Sequence, residues 1–235
     1  MKSVITAIAA SAATAFVLSC GGGGAAGPKP LSHHFDDAFI ASVDMDKKQA
    51  MLQAQNDYSA SKAARMKAEA DYSDSATALA VAKNEVKQGV LEEKNAESML
   101  KSAEASGDQN RIMPARRDAR VAELARRAAD EKVTVRKAER KYFKVNLLYV
   151  EEEMYHREAR YELAKAKVAR DNNISPKNFK FSVYQRQAEE RSKRAQRAKA
   201  LAEREKASAE TRRQKWQKAK RAHDSARGAG TEAQQ

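Results

Sequence analysis

Mostly large residues recur at every seventh position in the first half of the chain, and a small residue always follows three positions later. The large row is Met51, Tyr58, Arg65, Tyr72, Leu79, Val86, Glu93 and Leu100. The small row is Ala54, Ser61, Ala68, Ser75, Ala82, Gly89, Ala96 and Ala103. This pattern predicts one long helix, about residues 37–105, with a narrow seam against which a second helix can lie closely.

A second helix is predicted over about residues 111–171. Its seam starts at Val121, and its most apolar stretch, Tyr142–Tyr155, carries hydrophobic residues on more than one side, which favours two neighbouring helices. Short polar breaks at 106–110 and 171–176 make consecutive helices antiparallel. The numbers of facing residues should then add up to about 218 for the first pair of helices and about 347 for the second pair.

The third helix is predicted over about residues 176–227, with Ser175 as its cap and Pro176 in its first turn. Its seam is Ala188, Ala195, Ala202, Ala209, Trp216 and His223, which offers little to bury without neighbours. The antiparallel arrangement places Trp216 near Val86, Val90 and Val135. The predicted fold class is therefore all-α: an elongated antiparallel coiled-coil bundle of three long helices, with a disordered tail at 228–235.

Composition supports long helices, because charged residues make up 33% of the chain and aromatic residues only 6%. No stretch alternates with period two, so no sheet is predicted. The net charge of +13 is uneven. It is about −4 over residues 35–105, about +5 over 114–171 and about +11 over 176–227. An acidic first helix could attract the basic third helix, or the third helix could keep a basic surface for an anionic partner.

The first 19 residues are typical of a secretory signal peptide, because Lys2 precedes an apolar run of about 15 residues, too short for a comfortable membrane span. The run ends in Val17-Leu18-Ser19-Cys20, which resembles the lipobox of bacterial lipoproteins, with Val17 where leucine is usual. The resemblance implies cleavage before Cys20, a diacylglycerol on its sulfur and, with Gly21 next, sorting to the outer membrane, facing the periplasm. The alternative is a plain cleaved signal peptide.

Residues 20–35 are predicted to be the lipidated cysteine and a tether, because four glycines follow Cys20 and Pro28 and Pro30 stiffen the far end. Cys20 is the only cysteine, so the chain can form no intramolecular disulfide. The predicted location is the bacterial cell envelope, with the rod of residues 36–227 attached to a membrane through Cys20.

Two histidine-containing patterns raise the question of a metal. His33-His34-Phe35-Asp36-Asp37 offers ligand types, but its favoured interpretation is a helix entrance capped by Ser32 or Asp36. Glu153 and His156 have the Glu-x-x-His spacing, but di-metal bundles need two copies and only one is present. A salt-bridged histidine on the seam is favoured there. No phosphate-binding loop or nucleophile elbow is recognisable, so we predict neither metal nor cofactor and no enzyme.

The basic third helix is the remaining candidate site, for an anionic partner. The candidate residues are Arg191, Arg194, Arg197, Arg212, Arg213, Lys215, Trp216, Lys218, Lys220 and Arg221. In a cytosolic protein they would suggest nucleic acid. The predicted export argues against that and leaves cell-wall polymer, lipopolysaccharide or acidic envelope proteins. The alternative is a solvated charged face that the first helix partly neutralises.

The sequence supports three hypotheses of function. The first is a non-catalytic, lipid-anchored helical spacer, scaffold or adaptor of the envelope. The second is a holdase, from a general likeness to periplasmic chaperones with helical tentacles, although those have a small sheet body. The third is a binder of anionic envelope polymer through the third helix. A homo-oligomer remains open, because alanine-rich seams serve intramolecular and intermolecular packing equally well.

Overall fold

The structure is a computed structural model that describes residues 27–232, with side chains as far as residue 228. Three long helices account for most of it: α1 (Gln49–Ser106), α2 (Gln109–Asp171) and α3 (Phe181–Glu232). Two 3₁₀ turns, Asp37–Ile40 and Met45–Lys48, precede α1. Within the described range no residue is in a strand. The all-α bundle predicted from the heptad rows is confirmed, and α2 alone is about 95 Å long at 1.5 Å per residue.

Helix α2 is the centre of the bundle, because α1 and α3 both pack along it while sharing no packed interface with each other. The second helix therefore has the two neighbours that its apolar stretch predicted. The same arrangement does not support the expected packing of Trp216 against Val86 and Val90, since those valines belong to α1. Trp216 is half-buried instead.

Ion pairs between the helices report the register directly. Between α1 and α2, Glu93 lies 2.6 Å from Arg126 and Glu85 lies 2.6 Å from Lys132. The numbers in these pairs add to within about one of the predicted sum of about 218. Between α2 and α3, Lys141 lies 2.8 Å from Glu205, again within about one of the predicted sum of about 347.

Whereas most of the large row of α1 is half-buried, the small residues of the seams are mostly buried, as the sevenfold rows predicted. On α3 they are alanines, with Ala188, Ala195, Ala202 and Ala209 all at most 7% exposed. On α1 the small row supplies the following buried residues: Ala54, Ala68, Ser75, Ala82, Gly89 and Ala103. No large side chain in the described range is completely buried. The helices therefore bury a thin stripe along most of their length.

Gly89 lies on the small row at a place where α1 and α2 are close together. It is buried, and a Cβ atom built on it would lie 3.4 Å from Cα of Arg126. That distance is an ordinary van der Waals contact, so the site has room for a methyl group and for little more.

The effect of substituting Gly89 on stability should therefore depend on the size of the new side chain. We expect Gly89→Ala to be neutral or to stabilise by up to about 1 kcal/mol, because alanine favours helix. We expect Gly89→Leu to destabilise by about 1–3 kcal/mol, because the larger side chain would push the helices apart. Urea unfolding followed by circular dichroism measures both, and equal stability of the two variants would contradict the close approach.

The first reversal is built by Gly107 and Asp108. Gly107 adopts a left-handed conformation with φ of 69°, which glycine tolerates best, and its N–H donates to the carbonyl of Glu104 at 3.2 Å. The Asp108 carboxylate then caps α2 by accepting from the N–H of Asn110 at 2.9 Å. Because α2 starts at Gln109, Pro114 lies beyond its first turn.

The second reversal differs from its prediction. Ser175 and Pro176 do not open a helix, and α3 begins at Phe181. Asn178 has a left-handed φ of 66°, which interrupts helical geometry. Phe179, the next residue, packs against the buried apolar cluster at this end of the bundle. The longer turn therefore places an aromatic side chain in a core.

The N-terminal boundary also differs. The first long helix begins at Gln49 instead of about residue 37, and residues 29–35, predicted as the end of a flexible tether, are packed against the bundle. Leu31 is 7% exposed and Phe35 is 4% exposed. The physical reason is burial, because these two side chains cover apolar surface that α2 and α3 leave open. At the other terminus α3 continues to Glu232, past the predicted tail boundary, and residues 233–235 lie outside the described range.

The predicted signal peptide, Cys20 and Gly21–Gly24 also lie outside the described residues. Within the described part, none of the helices has an apolar stretch of sufficient length to span a bilayer.

Candidate functional site: the strap and the basic face of α3

Residues 29–35, here named the strap, are held on α2 and α3 by side chains that bind the strap's backbone. The buried side chain of Gln187 accepts from the N–H groups of Ser32 at 3.2 Å and His33 at 3.0 Å. Its amide group also donates to the carbonyl of His33 at 2.9 Å. One glutamine thus binds three backbone groups of the strap.

Arg191 holds the start of the strap. Its guanidinium donates to the carbonyls of Lys29 and, at 3.0 Å, of Pro30. It also lies 3.5 Å from the carboxylate of Glu152 and 5.1 Å from the ring centre of Tyr155. Arg191 is 7% exposed, so it is part of the fold and not available to an anionic partner, contrary to the prediction.

Glu162 and Lys165 of α2 hold the end of the strap. The Glu162 carboxylate accepts from the N–H of Phe35 at 2.6 Å, and the Lys165 ammonium donates to the Phe35 carbonyl at 2.9 Å. The two side chains pair at 2.8 Å, and Lys165 also lies 3.0 Å from the carboxylate of Asp37. Their spacing of three residues was visible in the sequence, but nothing in the pattern marked them as buried, so sequence reasoning missed them.

The pKa of Lys165 reflects this double pairing. Burial lowers the pKa of the ammonium, but the hydrogen bonds and charges of Glu162 and Asp37 outweigh burial and raise the pKa above its ordinary value of 10.5. A raised folded-state pKa stabilises the protein fully below the ordinary value, and the stabilisation is lost as pH rises through the folded-state value.

We therefore expect the contribution of Lys165 to persist at neutral pH and to disappear only in strong alkali. Thermal unfolding between about pH 9 and about pH 11.5 should show a loss of stability that a Lys165→Met variant lacks. Burial raises the pKa of Tyr161 and Tyr184, and the charge of Lys165 partly opposes this, so both proteins carry Tyr161→Phe and Tyr184→Phe, and the comparison then cancels the titration of the remaining tyrosines. The same alkaline slope in both proteins would contradict the pairing.

An apolar cluster closes this end of the bundle around Phe35. The ring of Phe35 packs edge-on against Phe179 at 5.7 Å and against Tyr184 at 6.1 Å between centroids. Ile40 and Met51 are buried in the same cluster, together with residues from the end of α2. The strap thus joins the start of α1, the end of α2 and the start of α3 into one core.

The histidine patterns have the structural roles that were favoured. Asp36 caps the first 3₁₀ turn, accepting from the N–H of Ala38 at 2.9 Å. His33 packs edge-on against Tyr184, and His34 lies 3.7 Å from Glu162. No group of three or more metal-ligating side chains occurs in the range that the structure describes.

His156 lies 3.4 Å from the carboxylate of Glu153, which also accepts from Arg157 at 2.7 Å. The hydrogen bond from His156, followed by that from Arg157, lowers the pKa of Glu153 against the opposing effect of burial. Glu153, His156 and Arg157 therefore form a salt-bridged group, in agreement with the interpretation favoured from the sequence.

Four of the predicted anion-binding residues share one side of α3, and a fifth cation joins them. We name this set the basic face: Arg194, Arg197, Arg204, Lys215 and Lys218. Arg204 was not among the predicted residues, although its spacing of seven from Arg197 could have identified it. All five side chains are exposed, and none has an ion pair within the described residues. The basic face also includes Leu201, which is 57% exposed.

The other predicted residues are not in this set. Arg213 bonds at 2.6 Å to Glu139 of α2, a carboxylate that is itself buried. Lys220 pairs with Asp224 at 2.7 Å on its own helix. Arg212 and Arg221 are also exposed, and they lie at the edges of the basic face, three positions from Lys215 and Lys218 respectively.

The hypothesis that α1 neutralises the basic third helix finds no support. No ion pair in the described residues joins α1 to α3. The acidic partners from outside α3 are Glu139 and Glu152, and both belong to α2. The basic face is therefore left to solvent or to an external anion.

No family model, curated protein or solved structure matches this chain.

Proposed function

We propose that this chain is a non-catalytic, lipid-anchored protein of the bacterial cell envelope that acts as a helical scaffold or adaptor. The observation that carries the proposal is the strap. It fixes the segment that follows Cys20 to the buried core of the rod through Gln187, Arg191, Glu162 and Lys165. A lipid on Cys20 would therefore hold the whole rod, at a defined end, close to a membrane.

The proposed location in the cell envelope comes from the sequence. The apolar run before Cys20 and the lipobox-like Val17-Leu18-Ser19-Cys20 favour export and acylation, and Gly21 favours the outer membrane. Nine residues lie from Gly21 to Lys29, where the strap begins. The proposed anchor and the proposed scaffold are thus joined by a short tether.

The proposal is tested by fractionating cells that express the parent chain, Cys20→Ala or a control, Gly24→Ala. We expect the parent and the control to incorporate labelled fatty acid and to sediment with membranes. We expect Cys20→Ala to lose the label and to move to the soluble fraction once its signal peptide is cleaved. A labelled Cys20→Ala variant, or a parent without label, would refute the anchor.

A holdase remains the second candidate, and one observation favours it. Large apolar side chains are exposed near the reversal between α1 and α2: Leu91 at 64%, Met99 at 71% and Met113 at 64%. Methionine surfaces adapt to varied apolar partners. If the protein is a holdase, it should suppress aggregation of an unfolded outer-membrane barrel, and a Met99→Ser/Met113→Ser variant should do so less well. No suppression by the parent would remove this candidate.

A further inference from the structure

The cations of the basic face form a row parallel to the axis of the rod. From Arg194 to Lys218 the row covers 24 residues of one helix, about 36 Å. A different side of α3 carries acidic residues at multiples of seven positions: Glu189, Glu203, Glu210 and Asp224. Other sides of α3 also carry cations, but the basic face has few acidic residues of its own, and a partner would meet its cations along a line.

These cations are not explained by the fold. Arg194 and Arg197, like Lys215 and Lys218, stand three positions apart, where like charges destabilise a helix. No acidic side chain in the described part of the chain pairs with any of the five. The acidic residue on this side of the helix is Glu190, which lies one turn before Arg194, at the N-terminal end of the row.

The strap starts beside the basic face. Arg191, which holds the carbonyls of Lys29 and Pro30, is three residues before Arg194 on the same helix. The chain before Lys29 thus leaves the rod at the first cations of the row. Nine residue steps separate Cys20 from Lys29, and they can span at most about 32 Å even when fully extended. A lipid on Cys20 would keep the basic face within reach of the bilayer surface.

We propose that the basic face docks on the anionic headgroups of the bilayer that holds the anchor, so that the rod lies along the membrane instead of projecting from it. This proposal rests on the proposed lipid anchor for its geometry. A row of cations parallel to the rod can touch a plane only when the axis is parallel to that plane. Headgroup phosphates attract exposed lysine and arginine, and a lipid chain combined with a basic patch anchors more firmly than either alone. Lying flat favours a scaffold over an upright spacer.

The test uses the chain from residue 20 onward, the proposed mature form, with Cys20→Ala in all samples, so that neither acylation nor the apolar run before Cys20 contributes to binding. Binding is measured by sedimentation with vesicles of phosphatidylcholine alone or mixed with phosphatidylglycerol. The face variant replaces the five cations of the basic face with glutamine. A matched control has the same net charge and replaces five exposed cations that recur every seven residues on another side of α3: Lys199, Lys206, Arg213, Lys220 and Arg227.

We expect binding to the anionic vesicles that weakens at least about tenfold between low salt and about 0.3 M salt. We expect the face variant to lose at least about a hundredfold in partitioning and the control to lose much less. Equal losses in the two variants would show a diffuse charge effect and overturn the proposal. So would equal binding to neutral vesicles, or binding to purified cell-wall polymer with none to vesicles. Failure of acylation in cells would refute the anchor while leaving the vesicle result intact.

Discussion

Phe35→Ala should destabilise the protein by about 3–5 kcal/mol, the largest effect that we expect from one apolar substitution. The ring is 4% exposed and makes edge-on contacts with Phe179 and Tyr184 in the cluster that joins all three helices. Because the helices bury mainly a thin alanine-rich stripe along the rest of their length, this cluster contributes a large share of the apolar burial. Urea unfolding followed by circular dichroism measures the loss.

Phe39 is the matched control for this substitution, because it is the same residue type four positions later and is 46% exposed. We expect Phe39→Ala to change the free energy of unfolding by less than about 1 kcal/mol. A loss from Phe35→Ala as small as that expected from Phe39→Ala would mean that the strap is not part of the core.

Lys165→Met should release the strap by leaving a buried charge without its partner. The side chains of Lys165 and Glu162 are each 6% exposed, and the pair is 2.8 Å apart. Removing one member of a buried pair typically costs about 3–5 kcal/mol, because the other member keeps its desolvation penalty. We expect faster hydrogen exchange at the amide of Phe35, which donates to Glu162, together with a lower melting temperature.

A double variant separates the charge effect from loss of packing. Glu162→Gln/Lys165→Met removes both charges, and the glutamine oxygen can still accept from the Phe35 amide. We expect the double variant to be more stable than Lys165→Met alone. If the double variant is less stable than the single one, the pair contributes by some means other than mutual neutralisation.

The long helices and their register were predictable because a heptad repeat is a local signal that persists over many turns. Each small residue of the α1 row marks the same face, and two short breaks fix the direction of the next helix. The close approach at Gly89 and the alanine seam of α3 followed from this repeat alone. Ion pairs such as Glu93–Arg126 then agree with a register calculated from the breaks.

The strap could not be predicted in the same way, because residues 29–35 have no period. Their packing depends on Gln187 and Arg191, which read as ordinary polar positions of a basic helix until the strap's backbone lies against them. A charged residue that binds backbone carbonyls has the same sequence signature as one that faces solvent. The predicted anion site therefore included Arg191, which is buried, and omitted Arg204, which is exposed.

The separation of α1 from α3 was also beyond the sequence. Their opposite net charges suggested attraction. A heptad seam, however, shows only which face of a helix is covered, and it does not show whether the third helix contacts both of the others. The outcome matters for function, because no acidic residue of α1 lies against the basic face. The basic face is then left to solvent or to an external anion.

The most direct test of a lipid-anchored rod is the intact mass of the chain extracted with detergent from membranes of the native cell. We predict a mature chain that begins at Cys20. Its mass should exceed that of its sequence by at least the diacylglyceryl group on the Cys20 sulfur. A chain that begins at another residue, or one with an unmodified Cys20 thiol, would contradict the anchor and with it the proposed scaffold at the membrane.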